Sequence, residues 1–432
     1  MSRPPLLPPR PLRWLFLDLN SYFASCEQQL QPSLRGRPVI VAPVGSDTTV
    51  AIAASIEAKR FGITTGTPVW EAKQRCRELV VTPARHERYV AFHDAIVAEI
   101  ERHIPVTRVC SIDEVACRLL DNENGREDAI ALAGRIKAGI RARVGECLTS
   151  SVGIAPNRLL AKLASDLRKP DGLVVFEAHE LPDALFGLSL REIAGIGANM
   201  ERRLARDGVN DIAQLCARAP RDAGQAWGGR DGDRLWYLLH GVDLPDKATQ
   251  SRTVGHSHVL SPGHRGPEPV RLTARRLALK AASRLRRKGY HARLLILHAK
   301  FEDSKERWQA SARLPATGDS FTIISRLDAL FPRLREAGRA RPGGFRMRMV
   351  GVTLAEIEPA DAAQGSLVEQ LAPDDPLARE TRGLALSCAM DRINERWGRN
   401  AVSVGPLGGG RLDRIGTKIA FGRIPEASEF HE

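Results

Sequence analysis

Apolar and polar positions alternate with different periods along the chain, and each period predicts a different element. Near the start, LRWLFLDLN is an unbroken apolar run closed by an acid, which predicts a central strand buried on both faces with Asp18 at or near its end. SYFASCEQQL leaves that strand as a helix, and RPVIVAP with the Ala-rich TTVAIAASIEAKRFGI predicts a small mixed unit closing at TPAR, near residue 83. In YVAFHDAIVAEIERHI, Tyr89, Phe92, Ile96, Ile100 and His103 recur at helical spacing and face a core. VCSIDEVACRL, 109–119, follows as a strand, REDAIALAGRIKAGIRARV as an amphipathic helix over 126–144, and LTSSVGIAP as a strand stopped by Pro156. Asn157 then caps RLLAKLASDLRK, in which Leu159, Leu160, Leu163 and Leu167 form one stripe with Lys162 beside it.

LREIAGIGANMERRLARDGVNDIAQLC predicts two helical segments joined by Gly195-Ile196-Gly197, with a second Gly-Val connection at 208–209. Glycines there let a backbone approach a phosphate, and an ordinary helical hairpin is the plainer reading. From 252 to 358 the order is strand, basic helix, strand, strand, helix, strand, or βαββαβ. KERWQASARL alternates cleanly: Lys305, Arg307, Gln309, Ser311 and Arg313 share one face, Trp308, Ala310, Ala312 and Leu314 the other. Such a cationic outer face suits a phosphate backbone better than base reading. Arg276, Lys280, Arg284 and Lys288 recur every fourth residue on the preceding helix, where a solvated face is the alternative. Beyond 359 comes a polar linker, a helix in which Leu386, Met390, Ile393 and Trp397 share a side, and a Gly-rich tail.

A length of 432 residues exceeds one hydrophobic core, so several domains are expected. Lys plus Arg exceeds Asp plus Glu by 13, which points to a polyanionic partner such as nucleic acid. No stretch of about 18 uninterrupted apolar residues occurs, and the Pro-rich start is no signal-peptide core, so a cytoplasmic protein with no membrane partner is expected. Seven cysteines without a C-x-x-C pair read as reduced thiols, and the two histidines of GHSH, 255–258, have no third ligand at metal spacing.

The adjacent Asp113 and Glu114 sit in apolar surroundings, where unpaired carboxylates are expensive. Either a cation is near them or they lie at a strand end that meets water. Asp18 lies on a strand that can neighbour theirs, giving three carboxylates at one locus, the donor set of Mg²⁺ held together with substrate phosphates. Two such ions activate a hydroxyl and stabilise a leaving pyrophosphate, and Lys59 and Lys162 are candidate cations for the triphosphate. Strict period two sends 113 and 114 to opposite faces, so both reach a metal only if a turn or bulge breaks the pleat.

FLDLNSYFASCEQ, CSIDEVACRL, SSVGIAPNRLLAKLASDLRKPDG and IAGIGANMERRLARDGVNDIAQL, in this order, resemble the Y-family, or translesion, DNA polymerases over residues 12 to 358. The tail over 359–432 is more similar to UmuC-like than to DinB-like members. The resemblance implies an α+β, multidomain right-hand polymerase. Its parts would be a Pro-rich lead (1–11), a ferredoxin-like palm (12–30 and 84–175), small fingers (31–83), a helix-hairpin-helix thumb (176–245), a linker (246–251), a βαββαβ little finger (252–358) and a C-terminal extension (359–432). It implies Asp18, Asp113 and Glu114 as catalytic metal ligands with the Leu19 carbonyl, two Mg²⁺ ions with Mn²⁺ as a substitute, and Phe23 as the steric gate against a ribose 2′-OH. Tyr22 and Phe23 would offer backbone N–H groups to the triphosphate, with Lys59 and Lys162 as its cations. Gly195 and Gly197 would hold the duplex, as would Lys305, Arg307 and Arg313.

Implied partners are primer-template DNA, deoxynucleoside triphosphates, a sliding clamp and SOS mutasome proteins, although QGSLVEQL, 364–371, reads as linker rather than as a clamp peptide. Ala53, Ile56 and Lys59 depart from the Thr, Tyr and Arg of many members, and a Lys for an Arg exchanges a bidentate fork for a point charge. The expected activity is low-fidelity synthesis past damaged bases in DNA repair, part of the SOS response to DNA damage. Two rivals differ in class. A catalytically silent, DNA-binding mutasome subunit would lose the acids, and a nucleotidyl cyclase would have no use for the thumb or the basic βαββαβ domain.

Overall fold

The structure is a computed structural model that describes residues 11–43, 47, 49–247, 252–304, 306–361, 376–398, 401–405 and 424–425. The chain divides into two compact units that part between Asp246 and Lys247.

In the first unit a five-stranded sheet runs in the order Arg108–Val109, Glu114–Arg118, Trp14–Leu19, Ser150–Ala155, Leu173–Val175. All six residues of Trp14–Leu19 are buried, as its continuous apolar run requires of a central strand. Alternation sends Leu15, Leu17 and Leu19 into a core with Tyr89, Ile96 and Ile100 of helix His86–Glu101 and Leu132, Ile136 and Ile140 of helix Arg126–Arg143. Trp14 and Phe16 enter a second core with Leu160 and Leu163 of helix Arg158–Leu167. Each such aliphatic side chain contributes about 1.5–3 kcal/mol relative to exposure. Asp18 therefore emerges on the second face, toward helix Arg158–Leu167. Asn157 caps that helix as expected, its side chain accepting the Leu160 N–H at 3.0 Å, and also ties it to the Leu238 and Val242 carbonyls at 2.7 and 3.1 Å.

A small three-stranded sheet, in the order Ala53–Ala54, Val39–Ala42, Val80–Pro83, packs with helices Ile56–Lys59 and Val69–Arg75 around Ile40, Ala58, Ile63 and Val69. Farther on, the expected pair of helices around Gly195-Ile196-Gly197 needs correction. Leu190–Glu192 is a single 3₁₀ turn opened by a Ser189–Glu192 capping box, and Gly195, at φ +101°, turns the chain out of it. Gly197 is the N-cap of helix Ala198–Arg206, and the α-helices on either side of a short connection are this one and Ile212–Ala217, joined through Gly208-Val209.

The second unit holds a four-stranded antiparallel sheet in the order Arg307–Thr317, Tyr290–Phe301, Met347–Pro359, Thr253–Val259. Helices Pro267–Arg287 and Ser320–Arg339 share its core, so the chain order is the βαββαβ read from the sequence. Arg307, Gln309, Ser311 and Arg313 are exposed and Ala310 and Leu314 buried, while Lys305 lies outside the described residues. On the basic helix Arg276, Lys280 and Arg284 are half-buried and Lys288, just past its end, is exposed.

The helix beyond 359, Pro376–Trp397, is turned opposite to its apolar pattern. Leu386, Ile393 and Trp397 are 49%, 39% and 72% exposed. Inward lie Ser387, which accepts the Ser320 N–H at 3.0 Å and donates to Asp319 at 3.1 Å, and Asp391, which accepts both guanidinium bonds of Arg286 at 2.8 and 2.9 Å. Those buried polar groups of the helix pair cost more to leave unmatched than exposing an apolar stripe costs. All seven cysteines are free, and no helix among the described residues is long and apolar enough to cross a membrane.

Candidate active site

Asp18 and Glu114 stand directly opposite each other in antiparallel register, and opposite residues share a face. Asp113 lies just outside the strand, in the turn between Arg108–Val109 and Glu114–Arg118, where period two does not apply. The turn is closed by the Cys110 N–H to the Glu114 carbonyl at 2.9 Å, and the Asp113 carbonyl accepts the Leu19 N–H at 2.8 Å. A buried His93 steadies it, with Nδ1 donating to the Ile112 carbonyl at 2.8 Å. Both readings of the acidic pair are thus partly right: the pair sits at a hairpin, and it has cations beside it.

Those cations are lysines. Lys162 Nζ lies 2.6 Å from Asp18 and 2.8 Å from Glu114, over the Phe16 ring at 5.3 Å. Lys169 Nζ lies 2.8 Å from the same Asp18 oxygen, and Asp166 joins both lysines at 3.1 and 2.7 Å. Burial disfavours the charge on Lys162, but Asp18 and Glu114 more than offset it and raise its pKa. Burial pushes the Asp113 carboxyl above the usual carboxylate range; the Ser111 hydroxyl, donating at 2.5 Å, opposes this, and Asp18 and Glu114 add to it. Lys59, at the end of helix Ile56–Lys59, is drawn down by partial burial and by Lys169, with Asp18 pulling the other way, so it belongs to the same field of charge. Asp18 and Glu114 opposite each other, with Asp113 in the adjoining turn, offer the oxygen donors that suit a hard divalent cation.

Tyr22 and Phe23 open helix Tyr22–Leu30, where the first N–H groups have no partner within the helix. Phe23 is half-buried and stacks on Tyr89, which the sequence marked only as a core residue. Lys169, Asp166 and Tyr89 were not among the predicted site residues. For the lysine a signal existed: Lys162, Asp166 and Lys169 follow one another at spacings of four and three along one helical face and its continuation.

Gly195 and Gly197 lie at the start of helix Ala198–Arg206; in the second unit Arg307 is exposed and Arg313 pairs with Glu356. Among the described residues the group whose ligand atoms all lie within 4.8 Å is Glu177, His179 and Glu180 rather than the GHSH histidines or the acidic trio. Its geometry follows from a capping box at a 3₁₀ turn and an Arg126 ion pair at 2.8 Å, a structural cause.

A family model described as the impB/mucB/samB family matches residues 17–166, and that of the family's C-terminal domain matches 251–367. A DNA polymerase IV of Moorella thermoacetica is 33% identical over 90% of this chain and 94% of its own length. One of Alkalilimnicola ehrlichii is 32% identical over 82% and 98%. These relatives are DNA polymerases IV, not the UmuC-like members suggested by the tail. A solved Y-family DNA polymerase chimera of Dbh and Dpo4 superposes with a TM-score of 0.67 at 23% identity, over 80% of this chain and 99% of its own, a likeness of fold. A divalent-metal requirement comes with this family. By its sequence, and with a fold to match, this chain belongs to the Y-family of DNA polymerases, the impB/mucB/samB family, and it is a DNA-directed DNA polymerase of the translesion kind.

Proposed function

We propose that the chain extends a primer 3′-OH on damaged template DNA by two-metal nucleotidyl transfer, with Asp18, Asp113, Glu114 and the Leu19 carbonyl holding two Mg²⁺ ions. The observation that carries this is the opposed pair Asp18 and Glu114, with Asp113 in the adjoining turn and lysines drawn against them. Bound divalent cations would supply charge stabilisation of the triphosphate and acidify the attacking hydroxyl. Mn²⁺ suits the same oxygen donors. The protein's own part is positioning: Lys59, Lys162 and Lys169 neutralise the triphosphate, and the N–H groups of Tyr22 and Phe23 at a helix start receive its oxygens.

In this reading 12–30 with 84–175 is the palm, 31–83 the fingers, 176–245 the thumb, 246–251 the linker, 252–358 the little finger and 359–432 an extension. Phe23 is the steric gate. Gly195 and Gly197 hold the duplex through backbone N–H groups, and Arg307 and Arg313 meet its phosphates. Deoxynucleotides and primer-template DNA are the substrates, the location is cytoplasmic, and a sliding clamp and SOS mutasome proteins are further partners. A silent mutasome subunit is not favoured, because the three carboxylates are retained, with Glu114 opposite Asp18 and Asp113 in the adjoining turn. Primer extension with and without Mg²⁺, wild type beside Asp113→Ala, tests the assignment. Extension that needs Mg²⁺ and vanishes in the variant is expected; DNA binding without extension by the wild type would overturn it.

A further inference from the structure

We propose that Asn20 is a positioning residue that fixes Lys169 over the active site, so that triphosphate binding depends on one hydrogen bond from the end of the Asp18 strand. The inference rests on the reading of Lys169 as a triphosphate cation. Asn20 is 4% exposed, and both polar atoms of its side chain are hydrogen-bonded. Its Oδ1 accepts the backbone N–H of Asp171 at 2.8 Å and the Thr149 hydroxyl at 3.2 Å, and its Nδ2 donates to Ser151 Oγ at 3.0 Å.

The residues it holds need holding. Lys169, Pro170 and Asp171 are exposed, Asp171 has φ +57°, and a side chain at Gly172 would meet the Arg168 carbonyl at 1.8 Å, so 168–172 is a tight turn in an unusual conformation. An exposed turn places a lysine only as well as it is anchored. One anchor is Asn20, at the end of the first strand, and a second is the Val152 N–H, which donates to the Gly172 carbonyl at 3.0 Å. The third is helix Arg126–Arg143, where Lys137 Nζ donates to the Asp171 carbonyl at 2.6 Å and pairs with its carboxylate at 3.0 Å, and Arg141 pairs at 3.2 Å. Because Asn20 is two residues past Asp18, one strand end sets both a metal-site carboxylate and, through the Asp171 N–H, the lysine that bonds it. Asn20 itself touches no reacting group.

Single-nucleotide incorporation by the full chain tests this with Asn20→Ala, Ser151→Ala, Lys137→Met, Lys169→Ala and the Asn20→Ala/Lys169→Ala double variant. Primer-template affinity and thermal melting are followed alongside. Asn20→Ala should raise KM for the nucleotide about tenfold, with kcat and DNA affinity much less affected. Ser151→Ala, which spares the Asp171 contact, should stay within about twofold, and Lys137→Met should raise KM severalfold. The double variant should be no worse than Lys169→Ala alone. If Lys169→Ala raises KM and Asn20→Ala does not, or if their effects multiply, the positioning role is overturned. An unchanged KM in Lys169→Ala would instead remove the lysine reading, and this inference with it. Should Asn20→Ala fail to fold, Asn20→Asp, which keeps an oxygen acceptor for the Asp171 N–H, decides: a KM within about twofold of wild type is expected, and a KM raised as far as in Lys169→Ala overturns the role.

Discussion

Phe23 lies flat on Tyr89, with ring centroids 4.5 Å apart and planes 16° from parallel. Tyr89 is itself held, its hydroxyl donating to Glu27 at 2.7 Å, and the fully buried Glu27 is bound by Arg85. A ring clamped against a fixed platform cannot swing aside to make room. That rigidity is what a steric gate requires.

Phe23→Ala is therefore expected to reduce discrimination against ribonucleotides by about 10²-fold, because a shape-based exclusion is lost without loss of a hydrogen bond. Tyr89→Leu should reduce it less, by letting the gate ring tilt. The ratio of kcat/KM for deoxy- over ribonucleotide is the measurement, and an unchanged ratio in Phe23→Ala would sink the gate assignment.

Asp18→Asn should lower kcat by about 10³-fold or more, since the lost carboxylate acts on charge that develops during transfer. Lys162 keeps Glu114 and Asp166, so the melting temperature should move by only a few degrees. Rapid-quench incorporation together with thermal melting separates loss of chemistry from loss of fold.

Glu99 provides an acid-sensitive brace on helix His86–Glu101. The Arg143 hydrogen bonds, with help from His103 and against the cost of burial, bring its pKa from 4.5 down to about 2. Its contribution is complete above pH 4.5 and is lost as pH falls toward 2. In urea unfolding between those limits, Glu99→Gln should flatten the pH dependence; a slope identical to wild type would remove Glu99 from the account.

His298 acts in the second unit with a different window. Burial, and then Arg307, lower its pKa from 6.5 to about 4, so the folded chain keeps the ring neutral while the unfolded chain protonates it. Stability is lost as pH falls from 6.5 through 4 and is level below. Gly351 is the strand partner of His298, and a Cβ there would meet the ring nitrogen at 2.2 Å. Gly351→Ala should cost about 1–3 kcal/mol by overpacking, and an unaltered unfolding midpoint would contradict that contact.

Much of the architecture was legible because hydrophobic period reports burial directly. The apolar run ending at Asp18, the Asn157 cap, the half-buried strand around Arg307–Leu314 and the βαββαβ order all follow from local pattern, which the packed structure keeps. Period misled where polar contacts outweighed it. The helix Pro376–Trp397 turns Ser387 and Asp391 inward because Asp319 and Arg286 need partners there, and its apolar stripe is left outside. The first helix at Gly195 shrank to one 3₁₀ turn because Ile193 is extended and Gly195, at φ +101°, carries the chain away.

The chain by itself determined which side chains are available: three carboxylates, the lysines, an aromatic five residues past Asp18. Only the tertiary structure decided that Asp18 and Glu114 face one another and that a hairpin turn frees Asp113 from the strand's alternation. It also decided that Lys169, rather than Lys162 alone, reaches Asp18. The reason is physical: the tendency of a face to be buried is written in the local alternation of apolar and polar residues, whereas register and turn geometry join segments nearly a hundred residues apart, and no local period encodes them.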